Sequence, residues 1–129
     1  LPSEALAEQW ALYRGAVPWV IARQQFNLLD SHDTQRLITR LEGSVALTKL
    51  ATVFLMTYPG VPCIYYGDEI GLPGGYDPDC RRTFPWGKPE TWDNDVLAYH
   101  KKLIAIRHAH PALNNFRTHH SVVSPTHAL

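Results

Sequence analysis

Residues 45–58 place Leu47, Leu50, Ala51 and Phe54 at three- and four-residue steps, behind a good helix cap at Ser44. Pro59-Gly60 breaks that period, and the run Val61-Pro62-Cys63-Ile64-Tyr65-Tyr66 that comes next is short and rich in branched and aromatic side chains. A second short apolar run, residues 26–29, precedes the helix. Strand, helix and strand in that order predict one βαβ unit. Two parallel strands cannot be joined by a tight turn, so the helix must cross over between them, right-handed, and pack one side on the sheet.

The flanking segments fit an α/β chain. Ser3 caps an expected helix over 4–13, in which Leu6 and Trp10 share a face and Gly15 is the stop signal. A second short helix is expected over 18–24, and a polar helical turn over 34–41 closed by Gly43. After Gly67 the density of glycine and proline, from Gly71 and Pro73 to Gly87 and Pro89, excludes regular structure until about Trp92. A loop of that length in a compact domain is usually functional or disordered. Asp93 or Asn94 caps a last helix through about His108, with Leu97, Lys101 and Ile104 near one line, Leu103 and Ile106 beside it, and Pro111 beyond. The tail 114–129 has no clear period.

The chain has 45% hydrophobic and 19% charged residues, and its twelve basic side chains balance twelve acidic ones. That excludes wholesale disorder and leaves no net field to draw nucleic acid or an anionic membrane. The longest apolar stretches fall short of the ~20 residues a membrane span needs. Leu1-Pro2-Ser3-Glu4 has neither the basic start nor the apolar run of a secretion signal. Cys63 and Cys80 allow at most one disulfide; Cys63, in the strand, reads as a small buried hydrophobe, so a reduced, cytoplasmic chain is expected.

Chemistry starts where the first strand breaks into Asp30-Ser31-His32-Asp33-Thr34, a cluster too polar for a core without partners. A parallel strand that delivers His32 and Asp33 to its C-terminal end is how barrels present reactive groups. Leu28 to Thr34, then Gly60-Val61-Pro62-Cys63-Ile64-Tyr65-Tyr66-Gly67-Asp68-Glu69-Ile70-Gly71, then Asp77-Pro78-Asp79-Cys80-Arg81-Arg82 resemble, in this order, the last part of the α-amylase superfamily barrel. The resemblance runs from about Trp10 to Leu113 and is nearest to maltodextrin glucosidases and their cyclomaltodextrinase and neopullulanase relatives.

The resemblance implies a role for each of four residues. Asp33 matches the acidic residue that grips the hydroxyls of the ring on which the oxocarbenium ion forms, with bonds that strengthen as the ring flattens. His32 would bind the same sugar and help hold Asp33. Asp77 and Arg81 match positions that contact the next glucose toward the non-reducing side, a task suited to the rigid guanidinium fork. Plainer readings stand beside these: Asp33 as a cap for the turn at Thr34, Asp77 and Arg81 as a salt bridge stiffening the loop, and Arg82 serving in place of Arg81. Asp68 and Glu69 read as scaffold, and Tyr65, Tyr66 and Trp86 as either sugar platforms or packing. His119, His120 and His127 have no carboxylate or cysteine at ligand spacing, so no metal and no cofactor is expected.

Retaining glycoside hydrolysis needs a carboxylate nucleophile and a carboxylic acid ~5–5.5 Å apart. The nucleophile pattern Gly-x-Arg-x-Asp is absent from these residues, and Glu8 stands too close to Asp33 in the chain to be the acid. The expectation is thus an α/β chain forming the last two βα units of a (β/α)8 barrel, residues 1–113, with 114–129 opening a C-terminal β domain or a disordered tail. Such a chain, incomplete as a barrel and inactive by itself, would belong to a maltodextrin glucosidase-like enzyme acting on α-1,4-glucan. Its expected partners are that oligosaccharide and the remainder of its own barrel, with self-association through exposed strand edges. The rivals are a cyclomaltodextrinase or neopullulanase fragment, and a non-catalytic module that binds glucan or merely docks.

Overall fold

The computed structural model describes residues 3–113. The expectations for the tail, including its three histidines, lie outside the described residues. Helix α1 (Ser3–Gly15) and the short α2 (Trp19–Ala22) lead into strand β1 (Phe26–Leu28), followed by α3 (Leu37–Arg40), α4 (Val45–Thr57), β2 (Val61–Cys63) and α5 (Asn94–Ala109). Single 3-10 turns occupy Asp68–Ile70, Asp79–Arg81, Pro89–Thr91 and Pro111–Leu113.

β1 and β2 run parallel, with Phe26 opposite Val61, Asn27 opposite Pro62 and Leu28 opposite Cys63. The expected βαβ unit is present, and its crossover carries α3 and α4. Both strands are shorter than the apolar runs suggest, because the ladder ends where β1 gives way to Leu29 and the buried Asp30. The return from α4 depends on Gly60. Its φ is 119°, and a Cβ there would collide with Asn27 Nδ2 and sit 2.6 Å from the Gln25 carbonyl. Asn27 Nδ2 donates to the Pro59 carbonyl at 2.8 Å, and the Val61 N–H donates to the Gln25 carbonyl at 2.8 Å, so the turn is stitched to the first strand.

Ser44 caps α4, its hydroxyl accepting from the Leu47 N–H. The sequence pattern places Leu47, Leu50, Ala51 and Phe54 on the packed side, and the structure corrects this. Thr48, Thr52, Leu55 and Met56 are buried, whereas Leu47 is 49% and Leu50 60% exposed. The threonines can go inside because each hydroxyl donates back into the helix, Thr48 to the Ser44 carbonyl at 2.9 Å and Thr52 to the Thr48 carbonyl at 2.8 Å, leaving a methyl group to pack. Phe54 belongs to a second face, where it stacks on Trp10 of α1 with centroids 4.6 Å apart.

Helix α5 packs on α4, capped by Asp93, whose carboxylate accepts from the N–H groups of Asp95 and Val96. Its buried line is Val96, His100, Leu103 and Arg107, not Leu97 and Ile104. His100 is satisfied locally: Nδ1 donates to the Val96 carbonyl at 2.9 Å and Nε2 faces the Thr52 hydroxyl at 3.4 Å. Arg107 donates to the carbonyls of Met56 at 2.5 Å and Gly60 at 2.7 Å, closing the C-terminal end of α4. A periodicity count scores histidine, threonine and arginine as solvent-facing; their hydrogen bonds let them face inward. Cys63 is only half-buried, against expectation, because two strands leave its side chain uncovered, while Cys80 is completely buried; both thiols are free.

Candidate active site at the strand mouth

Beyond Leu28 the chain turns sharply. The Ser31 N–H donates to Thr34 Oγ1 at 3.0 Å, the Thr34 N–H to the Ser31 carbonyl at 3.2 Å, and the Asp33 N–H to Ser31 Oγ at 3.2 Å. This knot of short polar side chains presents His32 and Asp33 to solvent, 60% and 70% exposed. The cap belongs to Asp30 instead: its buried Oδ2 accepts the Leu37 N–H at the start of α3, at 2.6 Å.

The loop after β2 brings a guanidinium to the same place. Arg81 Nη2 lies 3.4 Å from Asp33 Oδ1, and Arg81 Nε donates to Asp77 Oδ1 at 2.6 Å. His32 Nε2 is 3.4 Å from the same Asp33 oxygen, and the Cys80 thiol donates to the His32 carbonyl at 3.0 Å. All four residues singled out in the sequence therefore meet at one mouth. Desolvation works against the charge of Arg81, yet Asp77 and then Asp33 more than offset it, so its pKa is raised above the ordinary value. Arg82 is engaged elsewhere, in a two-bond pair with Asp79 at 2.7 and 2.9 Å. That pair and the Gly75 N–H hold the Asp79 carboxyl below its usual range.

A planar cation between two carboxylates, with an imidazole alongside, is a set of directional donors and acceptors in open solvent. It suits vicinal hydroxyls, which donate to carboxylates and accept from guanidinium and imidazole. Tyr65 and Tyr66 do not form a sugar platform here. Their faces cover the Arg36 guanidinium, at 4.2 and 4.5 Å from the ring centroids. Trp86 stays 75% exposed, in contact with Phe84 and Trp92. Glu8 lies on the surface of α1. A cavity of about 470 Å³ lined by Arg23, Val61, Ile104 and Arg107 lies at the start of β2, the end away from Asp33.

The sequence reading takes Asp68 as scaffold but misses Asp30 and Arg36 in the layer beneath. Asp30, Arg36 and Asp68 are buried together, with Arg36 Nη1 3.8 Å from Asp68 Oδ1. Glu69 turns away, its Oε2 accepting the Gly67 N–H at 2.7 Å. The available signal was the charge pattern: one arginine just past the first strand, and an acidic residue near the end of each strand.

Residues 7–90 match the model of the alpha-amylase catalytic domain. A cyclomaltodextrinase from a Bacillus species is 52% identical over 88 residues, which is 68% of this chain and 16% of that protein. Neopullulanase 2 of Thermoactinomyces vulgaris is 45% identical over 106 residues, 81% of this chain and 18% of that protein. Among solved structures, the cyclic alpha-maltosyl-(1→6)-maltose hydrolase of Arthrobacter globiformis superposes with a TM-score of 0.90 at 34% identity, over 97% of this chain and 28% of that one. The chain thus spans less than a fifth of the length of these two curated relatives, and the likenesses imply a TIM-barrel fold of which the described residues hold few strands. With the match covering well over half of its residues, the chain belongs to the alpha-amylase catalytic-domain family.

Proposed function

We propose that this chain supplies the seventh and eighth βα units, residues 1–113, of the catalytic barrel of a retaining α-glucan hydrolase. The convergence of Asp33, His32, Asp77 and Arg81 at the C-terminal end of β1 carries this reading. As a sugar ring flattens toward an oxocarbenium ion, its hydroxyls become better donors and the charged Asp33 binds them more tightly than in the ground state. Asp33 therefore stabilises the transition state without exchanging a proton, His32 shares the same ring, and Asp77 with Arg81 holds the neighbouring glucose. To accept those hydroxyls, Asp33 gives up or shares its exposed contact with Arg81. The nucleophile and the general acid come from elsewhere in the barrel, so the chain alone is inactive.

The reaction proposed for the intact enzyme is cleavage of α-1,4-glucosidic bonds in maltodextrins. A cyclomaltodextrinase or neopullulanase activity is the second reading, favoured by the names of the relatives and by 52% identity to a cyclomaltodextrinase. Products formed from linear and cyclic dextrins by the intact protein separate the two. The non-catalytic rival, docking on the rest of its own barrel, draws support from Phe26, Leu28 and Val61, which are 65%, 47% and 47% exposed on the two strands. A cytoplasmic location fits the unbridged cysteines and a relative named intracellular maltogenic amylase in Bacillus subtilis. Titration calorimetry of this chain with maltotriose tests the pocket: saturable heat abolished by Asp33→Ala is expected, and no heat leaves only docking.

A further inference from the structure

Exposed contacts hold Arg81 within its own loop, through Asp77 and through the Tyr66 hydroxyl on the Arg82 carbonyl at 2.8 Å, but they do not tie that loop to Asp33. The contact between Arg81 and Asp33 is 3.4 Å long, with Arg81 47% and Asp33 70% exposed, and solvent-screened pairs of this kind are too weak to fix a loop. The fixing points lie underneath. Arg36 is completely buried, and two of its three guanidinium nitrogens bond the backbone of the loop. Nε donates to the Cys80 carbonyl at 2.8 Å and Nη1 donates to the Tyr66 carbonyl. The Arg36 N–H donates to the Gly74 carbonyl at 3.0 Å, and the Gly74 N–H donates in turn to Thr39 Oγ1 at 2.9 Å. The approach is close enough that a Cβ on residue 74 would lie 2.9 Å from Arg36 Cγ and 2.7 Å from the Asp79 carbonyl.

These anchors fall at informative places. Cys80 directly precedes Arg81, Gly74 lies three residues before Asp77, and Arg36 lies three residues after Asp33. We propose that Arg36, assisted by Thr39, is a positioning strap that locks the loop bearing Asp77 and Arg81 onto the turn bearing Asp33, and so sets the separation of the two sugar-binding groups. Stability alone is a poor reason for a buried guanidinium, because removing a cation from water costs more than its ion pairs generally return. A fork whose Nε and Nη1 point to two different carbonyls is a geometric device, and lysine cannot reproduce it. The effect on turnover rests on the function proposed above; the effect on geometry does not.

The test uses the intact protein and maltotriose. Arg36→Lys keeps the charge and loses the fork. Expected is a fall of about 10- to 100-fold in kcat/KM per folded molecule, since a misplacement of about 1 Å costs on that order. In an Asp33→Asn background the same change should cost less than about threefold, because Arg36 acts through Asp33. An arginine that only stabilises the fold would lower the folded fraction and leave kcat and KM per folded molecule unchanged, which overturns the proposal. So does a full, multiplicative loss in the Asp33→Asn background. If Arg36→Lys does not fold, Thr39→Val removes one anchor. A fall in kcat/KM smaller than that expected for Arg36→Lys, again suppressed by Asp33→Asn, supports the strap, and unchanged constants refute it. If the unmodified protein cleaves no α-glucan, the functional reading fails and geometry decides. A crystal structure of a folded variant with Arg81 still in salt-bridge contact with Asp33 rejects the strap, and a separated pair upholds it.

Discussion

Replacing Asp68 with asparagine should change how stability responds to pH. Asp68 is buried beneath the site, and neither its Oδ1 nor Oδ1 of Asp30 receives an N–H donor. A proton kept on Asp68 would give its carboxyl a donor to share with Asp30 and remove one of the two negative charges beside Arg36. Burial first, then the hydrogen bond and the charge of Asp30, push the Asp68 carboxyl from 3.8 up to about 9, against the pull of Arg36. The sign comes from that upward shift. Between about pH 4 and 9 the folded chain keeps a proton that the unfolded chain releases, so this group's contribution is fully present below pH 4 and is lost as pH rises toward 9. The slope for one proton is about 1.4 kcal/mol per pH unit, or roughly 4 kcal/mol between pH 5 and 8, a large share of the 5–15 kcal/mol typical of a domain. Asparagine has no proton to hold and can still donate to Asp30. Urea unfolding of Asp68→Asn and wild type, followed by tryptophan fluorescence from pH 5 to 8, should give curves that diverge with pH, the variant gaining on the wild type. Parallel curves would show that Asp68 is ionised in the fold and that the shared proton is wrong.

Gly60→Ala should destabilise the chain by several kcal/mol, as a Cβ colliding with Asn27 Nδ2 and meeting the Gln25 carbonyl at 2.6 Å forces the turn off the first strand. A melting temperature within a degree or two of wild type refutes that reasoning. The chain by itself should self-associate, since among the described residues β1 and β2 have only each other for partners and expose Phe26, Leu28 and Val61. Sedimentation velocity showing a single monomer at every concentration speaks against it.

The sequence by itself determined the parts of this protein that local chemistry controls. Ser44 and Asp93 each cap a helix where a side-chain oxygen stands two or three residues before free N–H groups. Pro59-Gly60 ends α4, and the order strand, helix, strand leaves little choice but a parallel pair. That His32, Asp33, Asp77 and Arg81 lie together was expected from three motifs that resemble, in their order, those of a known family, and a strand end is where such groups become exposed. What only the tertiary structure decided is which faces are covered and what lies beneath the site. Thr48, Thr52, His100 and Arg107 are polar by composition and interior by position, because each finds its hydrogen bonds within the helices or across them. Arg36 is the clearest case. Its burial depends on carbonyls at Tyr66 and Cys80, 30 and 44 residues away, and on two tyrosine faces that no local pattern brings to it. Propensity and capping are short-range and can be read along the chain; desolvation and its compensation arise only when distant segments meet.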